Sequence, residues 1–123
     1  MDFVEPIFRG FLENSPDGHL IFEYGRCVYH SPTYVEMVGY SNTKNLVPKA
    51  TALKELLHPQ DREPVLRFFE TAVKSKTSII KYSYRGLVAD GSYRWRQDSA
   101  RLMYDKDGRH WRTLVSARDI DDR

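Results

Sequence analysis

Two Asp-Gly steps cut the C-terminal third of the chain into three pieces, and this is the strongest constraint on the fold. "TSIIKYSYRGLV", "SYRWRQDSARLMY" and "RHWRTLVSARDI" are separated by Asp90-Gly91 and Asp107-Gly108. Each piece is rich in β-branched and aromatic residues, and Asp-Gly is a preferred two-residue hairpin turn. Three successive strands joined this way form an antiparallel meander. Within the middle piece, alternation sends Arg94, Arg96 and Asp98 to one face and Trp95, Gln97 and Ser99 to the other.

The first two-thirds must cover one face of that sheet. In "DFVEPIFRGFLENS", Phe3, Ile7, Phe8 and Phe11 have helical spacing, and Pro6 places the helix start near itself. "SPDG" is a turn. "HLIFEYG" and "RCVYHS" are two short strands joined tightly at Gly25. Ser31-Pro32 is a cap and first-turn proline, and Gly39 ends that helix. "SNTKNLVPKA" is irregular, and "TALKELL" is a turn or two of helix with Thr51 as cap. "DREPVLRFFETAVKSK" is the longest helix, with Asp61 as cap, a start near Arg62, and Val65, Phe68, Phe69, Ala72 and Val73 on one face. The fold class is therefore α+β, with an antiparallel sheet and helices packed on one face.

Composition removes several functions. The chain has 123 residues, one domain's worth, and a net charge of only +2 with both signs scattered. A nucleic-acid surface shows a basic stripe, and an RNA-binding sheet also carries a stacking-aromatic signature; "YRWR" alone supplies neither. The single cysteine, Cys27, forms no internal disulfide, which fits a reducing compartment. No apolar run approaches the about 18 residues of a membrane span, and the acidic start is unlike a secretory leader. The expectation is a cytoplasmic domain cut from a longer chain. Ser99 and Ser116 have no base at plausible sequence spacing and no phosphate-cradling glycine loop occurs, so no enzyme is expected. The four histidines lack ligand spacing, so no metal is expected.

Several motifs together resemble the PAS domain, in the subclass common in bacterial sensor histidine kinases and diguanylate cyclases. His58-Pro59 with Asp61 opens the long helix, Tyr84-Arg85 precedes Asp90-Gly91, and Trp95 follows Gly91 by four. Asp98 and Arg101 follow the tryptophan, and Asp119-Ile120 closes the last strand, with Asp121 where the family has threonine. The resemblance spans nearly the whole chain. It implies a five-stranded antiparallel sheet with helices on one face, in residues 16–123, preceded by a flanking helix in residues 1–15. It also implies a non-catalytic sensory module that relays ligand or partner state to an output domain in the same chain. The alternative is a ligand-free dimerisation module whose core is filled by Phe22, Phe69, Tyr82 and Tyr84.

The resemblance implies a cavity between sheet and helices. His30, Tyr82, Tyr84, Arg96, Asp98, Val115 and Ala117 are the candidate pocket residues, and Trp95, Asp119 and Ile120 the candidate relay. Neither haem nor flavin is expected: the long helix has no histidine, and Cys27 lies on a strand rather than in a flavin-adduct helix. Arg96 stands where the family usually has an apolar residue. A buried guanidinium needs a partner, so either Asp98 pairs with it or it seeks a carboxylate ligand. Phe3, Phe8 and Phe11 exceed what so short a helix can bury, and are expected to form a homodimer interface.

Overall fold

The structure, a computed structural model, describes residues 6–39 and 57–121. The readings of Phe3, "SNTKNLVPKA" and residues 51–56 of "TALKELL" lie outside the described residues. The elements in chain order are α1 (Pro6–Glu13), β1 (Gly18–Glu23), β2 (Arg26–His30), α2 (Pro32–Val38), α3 (Pro59–Lys74), β3 (Ile79–Leu87), β4 (Tyr93–Tyr104) and β5 (His110–Asp119). The five strands form one sheet in the order β2-β1-β5-β4-β3, with every neighbouring pair antiparallel. The last strand thus lies centrally, between β1 and β4. The meander is as the Asp-Gly steps require, with Gly91 at φ 91° and Gly108 at φ 81°, left-handed values that cost glycine nothing.

The inner face carries the core. Leu20, Ile80, Ala100, Leu102, Val115 and Ala117 of the sheet pack with Tyr34, Val35 and Val38 of α2 and Ala72 of α3. Gly18 lets α2 approach β1 closely, since a Cβ there would sit 2.9 Å from the Tyr34 backbone. Ser31 caps α2 as expected: its buried hydroxyl accepts from Tyr34 N at 3.3 Å and also from His19 N at 2.9 Å. The flanking helix α1 lies against the opposite, outer face, where Leu12 packs with Ile21, Tyr29, Val28 and Leu114.

Helix α3 starts earlier than the sequence suggests. His58 is the N-cap, its Nδ1 accepting from Gln60 N at 3.1 Å, and Pro59 takes the first helical position. Pro64 therefore falls inside the helix, one turn later than expected. Asp61 is free of capping because it has a stronger donor set: Arg85 gives it the backbone N–H at 2.7 Å, Nε at 3.0 Å and Nη2 at 2.8 Å. Phe68, read as core, is 43 % exposed with its ring edge-on to Tyr82, and Val65 and Leu66 line an open space.

Candidate functional site

That open space is a cavity of about 360 Å³ between the inner sheet face and α3. Its described walls are mostly apolar and aromatic: Leu20 and Phe22 from β1, Tyr34 from α2, Val65, Leu66 and Phe69 from α3, Trp111 and Val115 from β5. Polar groups enter at few points. Tyr82, Tyr84 and Asp98 form a cluster on β3 and β4, His110 and Thr113 face in from β5, and Arg62 reaches in from α3. A concave, largely apolar volume with a few convergent polar groups is the usual form of a small-molecule site.

The cluster follows from strand register. Tyr82 stands opposite Asp98 and Tyr84 opposite Arg96, so the alternation of β3 and β4 sends all four inward. The Tyr82 hydroxyl donates to Asp98 Oδ2 at 3.1 Å, and the Tyr84 hydroxyl lies 3.0 Å from both carboxylate oxygens. Asp98 is only 5 % exposed. Burial pushes its carboxyl up to about 7, against the two tyrosine hydrogen bonds and the charge of Arg96, which favour ionisation. Burial, followed by the Asp98 charge, likewise holds both tyrosines well above the ordinary phenol range.

Arg96 corrects the pairing expected from sequence. It is buried, at 1 % exposure, but forms no ion pair with Asp98 among the described residues. Its guanidinium lies over Gly86, where a Cβ would meet Cζ at 2.5 Å, and Nη2 donates to Leu87 O at 2.9 Å. Nε and Nη1 are buried without a hydrogen-bond partner. The side chain runs along β3 because Gly86 leaves room there, and the tyrosines have already taken the carboxylate.

Of the seven pocket candidates, Tyr82, Tyr84, Asp98 and Val115 line the cavity. Arg96, Ala117 and His30 are not among the lining residues. Ala117 is fully buried in the core opposite Asp98, and His30 ends β2 opposite Leu20, where α2 begins. Sequence reasoning missed Trp111 and Thr113, although stepping back by two from Val115 along β5 reaches both. Thr113 is satisfied by its 2.7 Å contact with His110 Nε2, and burial lowers the His110 pKa. Cys27 is not on the described wall; its thiol donates to Tyr29 O at 3.3 Å, and burial pushes it up to about 11. The residues present do not fit a cysteinyl-flavin adduct, because the chain has no other thiol. No group of three or more His, Cys, Asp or Glu suited to a metal occurs among the described residues.

The three relay candidates meet at one end of the sheet. Ile120 N donates to Trp95 O at 2.9 Å, and Trp95 N donates to Asp121 Oδ1 at 3.0 Å. Arg94 Nε donates to Asp119 Oδ2 at 2.6 Å. Burial raises the Asp119 pKa, but hydrogen bonds from Arg94 and the Asp121 backbone outweigh it and hold the carboxyl low. The Arg85 guanidinium, already fixed by Asp61 of α3, lies 5.3 Å from the Trp95 ring centroid. A continuous set of contacts thus joins the helix that walls the cavity to the end of β5. On α1, Ile7 and Phe11 are 72 % and 74 % exposed, whereas Phe8 lines a groove between α1 and the outer sheet face.

A family model described as the PAS fold matches residues 27–117. Among solved structures, the N-terminal domain of a diguanylate cyclase with PAS/PAC sensor from Marinobacter aquaeolei is 20 % identical, with a TM-score of 0.75 over 85 % of this chain and 95 % of that one. A sensory box histidine kinase/response regulator from Burkholderia thailandensis is 22 % identical, with a TM-score of 0.77 over 94 % of this chain and 86 % of that one. A light-oxygen-voltage domain studied with a flavin analogue is 15 % identical, with a TM-score of 0.67 over 94 % and 85 %. No curated protein sequence matches the chain.

Proposed function

The chain belongs to the PAS family, and from that premise we propose that it is the sensory module of a larger signalling protein. A small molecule enters the cavity between sheet and α3, and its occupancy biases the end of β5. The bias leaves through Asp119 and Ile120 into an output domain that follows in the same chain. The observation that carries this reading is the cavity itself: Phe22, Phe69, Tyr82 and Tyr84, which a ligand-free module would use to fill its core, stand around a volume of about 360 Å³ instead. The module itself is non-catalytic. Two hydroxyl–imidazole pairs occur among the described residues, Thr113 with His110 at 2.7 Å and Ser116 with His19 at 3.1 Å, and neither ring is hydrogen-bonded to a carboxylate that would complete a triad.

The test is a thermal-shift screen of small metabolites against the wild type and Val65→Trp, which fills the cavity from α3. Compounds that raise the wild-type Tm are expected to lose that effect in the variant. Failure of every compound, or equal shifts in both proteins, contradicts the reading.

A homodimer is the second element of the proposal, supported by the outward Ile7 and Phe11 of α1. Sedimentation of the purified domain is expected to show a dimer that Phe11→Glu converts to monomer with the fold unchanged. Phe8 is less suitable for this test because it borders the monomer's own groove. A wild-type monomer at high concentration removes this element and leaves the sensory reading intact.

A further inference from the structure

We propose that the cavity selects a cation: a protonated amine or quaternary ammonium on a small apolar body, with its charge seated on Asp98. This deepens the sensory reading and rests on it. Asp98 supplies the only carboxylate among the described wall residues. Its hydrogen-bond donors are two neutral hydroxyls, from Tyr82 and Tyr84. Oδ1 receives one hydroxyl, and a carboxylate oxygen can accept more than one donor. The site is therefore a buried carboxyl without a cationic contact among the described residues, facing an apolar volume. That is the situation a ligand cation relieves.

The other charges near the site among the described residues do not supply that cation. Arg96, on the same strand, turns along β3 to Leu87 O. Arg62 Nε is committed to Leu57 O at 3.1 Å. His110 is hydrogen-bonded to Thr113, and its burial favours the neutral ring. From α2, Tyr34 adds a neutral phenol, and from β5 the residue opposite Asp98 is Ala117. Phe69 adds an aromatic ring to the wall, a group that attracts cations and not carboxylates, whereas the Trp111 ring already carries the Arg112 guanidinium at 4.0 Å. An anionic ligand would have to turn to Arg62, whose Nε is already given to Leu57 O, because the Arg96 guanidinium is not among the described wall residues.

Ligand cation and Asp98 proton compete for the same carboxylate. Binding therefore expels a proton and strengthens as pH rises. With the carboxyl at about 7, affinity should rise about tenfold from pH 6 to pH 8.

The test is calorimetric titration of the wild-type chain with phenethylammonium, neutral 2-phenylethanol and anionic 3-phenylpropanoate. The expected order puts phenethylammonium first, with that pH dependence. In Asp98→Asn its affinity at pH 8 should fall about tenfold or more and lose its pH dependence. The wild-type comparison stands even where the variant folds poorly. A pH-independent affinity for the amine, an anion that binds equally well, or no amine binding at millimolar concentration overturns the proposal. If the neutral or anionic probe binds and Val65→Trp blocks it, charge selection fails while the sensory reading survives.

Discussion

Raising the pH from about 5 to about 8 is expected to cost the folded domain about 3 kcal/mol through Asp98 alone. The sign follows from the direction of the shift. The Asp98 carboxyl rises from 3.8 unfolded to about 7 folded, so the folded state binds more protons across this window. Its contribution is most favourable below the unfolded pKa and is lost as pH climbs to about 7. The partly buried histidines push the other way: desolvation lowers the pKa of His19, His30 and His110, so their contribution improves as pH rises through the ordinary imidazole value. Asp98→Asn should therefore remove the descending part and leave a stability that rises with pH. Its fixed cost is about 1–2 kcal/mol, because an amide oxygen serves one tyrosine well and leaves the other short. Urea denaturation of both proteins across this range checks the result. Parallel pH profiles would place the Asp98 carboxyl in contact with water or with a cation.

Replacing Arg96 with methionine is expected to stabilise the domain by about 1–3 kcal/mol near pH 6, where Asp98 is mostly protonated. The guanidinium is buried at 1 % exposure and has one hydrogen bond, to Leu87 O, with two nitrogens, Nε and Nη1, unmatched. Its field is shared by Asp98 and Asp119, both of which it biases toward ionisation, but neither forms an ion pair with it. Methionine fills much of the same volume without a charge, at a cost of about 1 kcal/mol for the Leu87 carbonyl. The converse change is Gly86→Ala. Its methyl would lie 2.5 Å from Arg96 Cζ and Nη1, and displacing a fully buried head group is expected to cost about 1–3 kcal/mol. Because the two residues occupy the same space, the double variant Gly86→Ala/Arg96→Met should fall short of the sum of its parts. A loss of more than about 3 kcal/mol in Arg96→Met would mean that the guanidinium has a partner and that the Asp98 pairing holds after all.

The sheet was legible from its punctuation and its period. Asp90-Gly91 and Asp107-Gly108 gave the meander, and alternation put Tyr82 with Tyr84 and Arg96 with Asp98 on shared faces, which the family resemblance turned inward. The family resemblance gave five antiparallel strands, but strand order, with β5 between β1 and β4, is a matter of long-range pairing that no local window records. Partner choice inside the cluster was not legible. Arg96 and Asp98 share a face at the distance where an ion pair is expected. What separated them was a glycine on the neighbouring strand and two tyrosine hydroxyls across the register. The start of α3 was misplaced for a related reason. A first-turn aspartate was read as a cap, while its donors lie 24 residues away at Arg85. Local motifs name the groups available, and tertiary register decides which of them meet.

The central claim is that occupancy of the cavity reaches the end of β5. It is tested most directly by amide hydrogen exchange at Ile120 and Trp95, the two donors that tie the chain exit to β4. The wild type should be compared with Val65→Trp, whose indole fills the cavity from α3 and touches neither amide. The account predicts a changed exchange rate at both positions in the variant, with the core amides of β1 unaffected. Unchanged exchange at Ile120 and Trp95 in a folded variant with its cavity filled would contradict it.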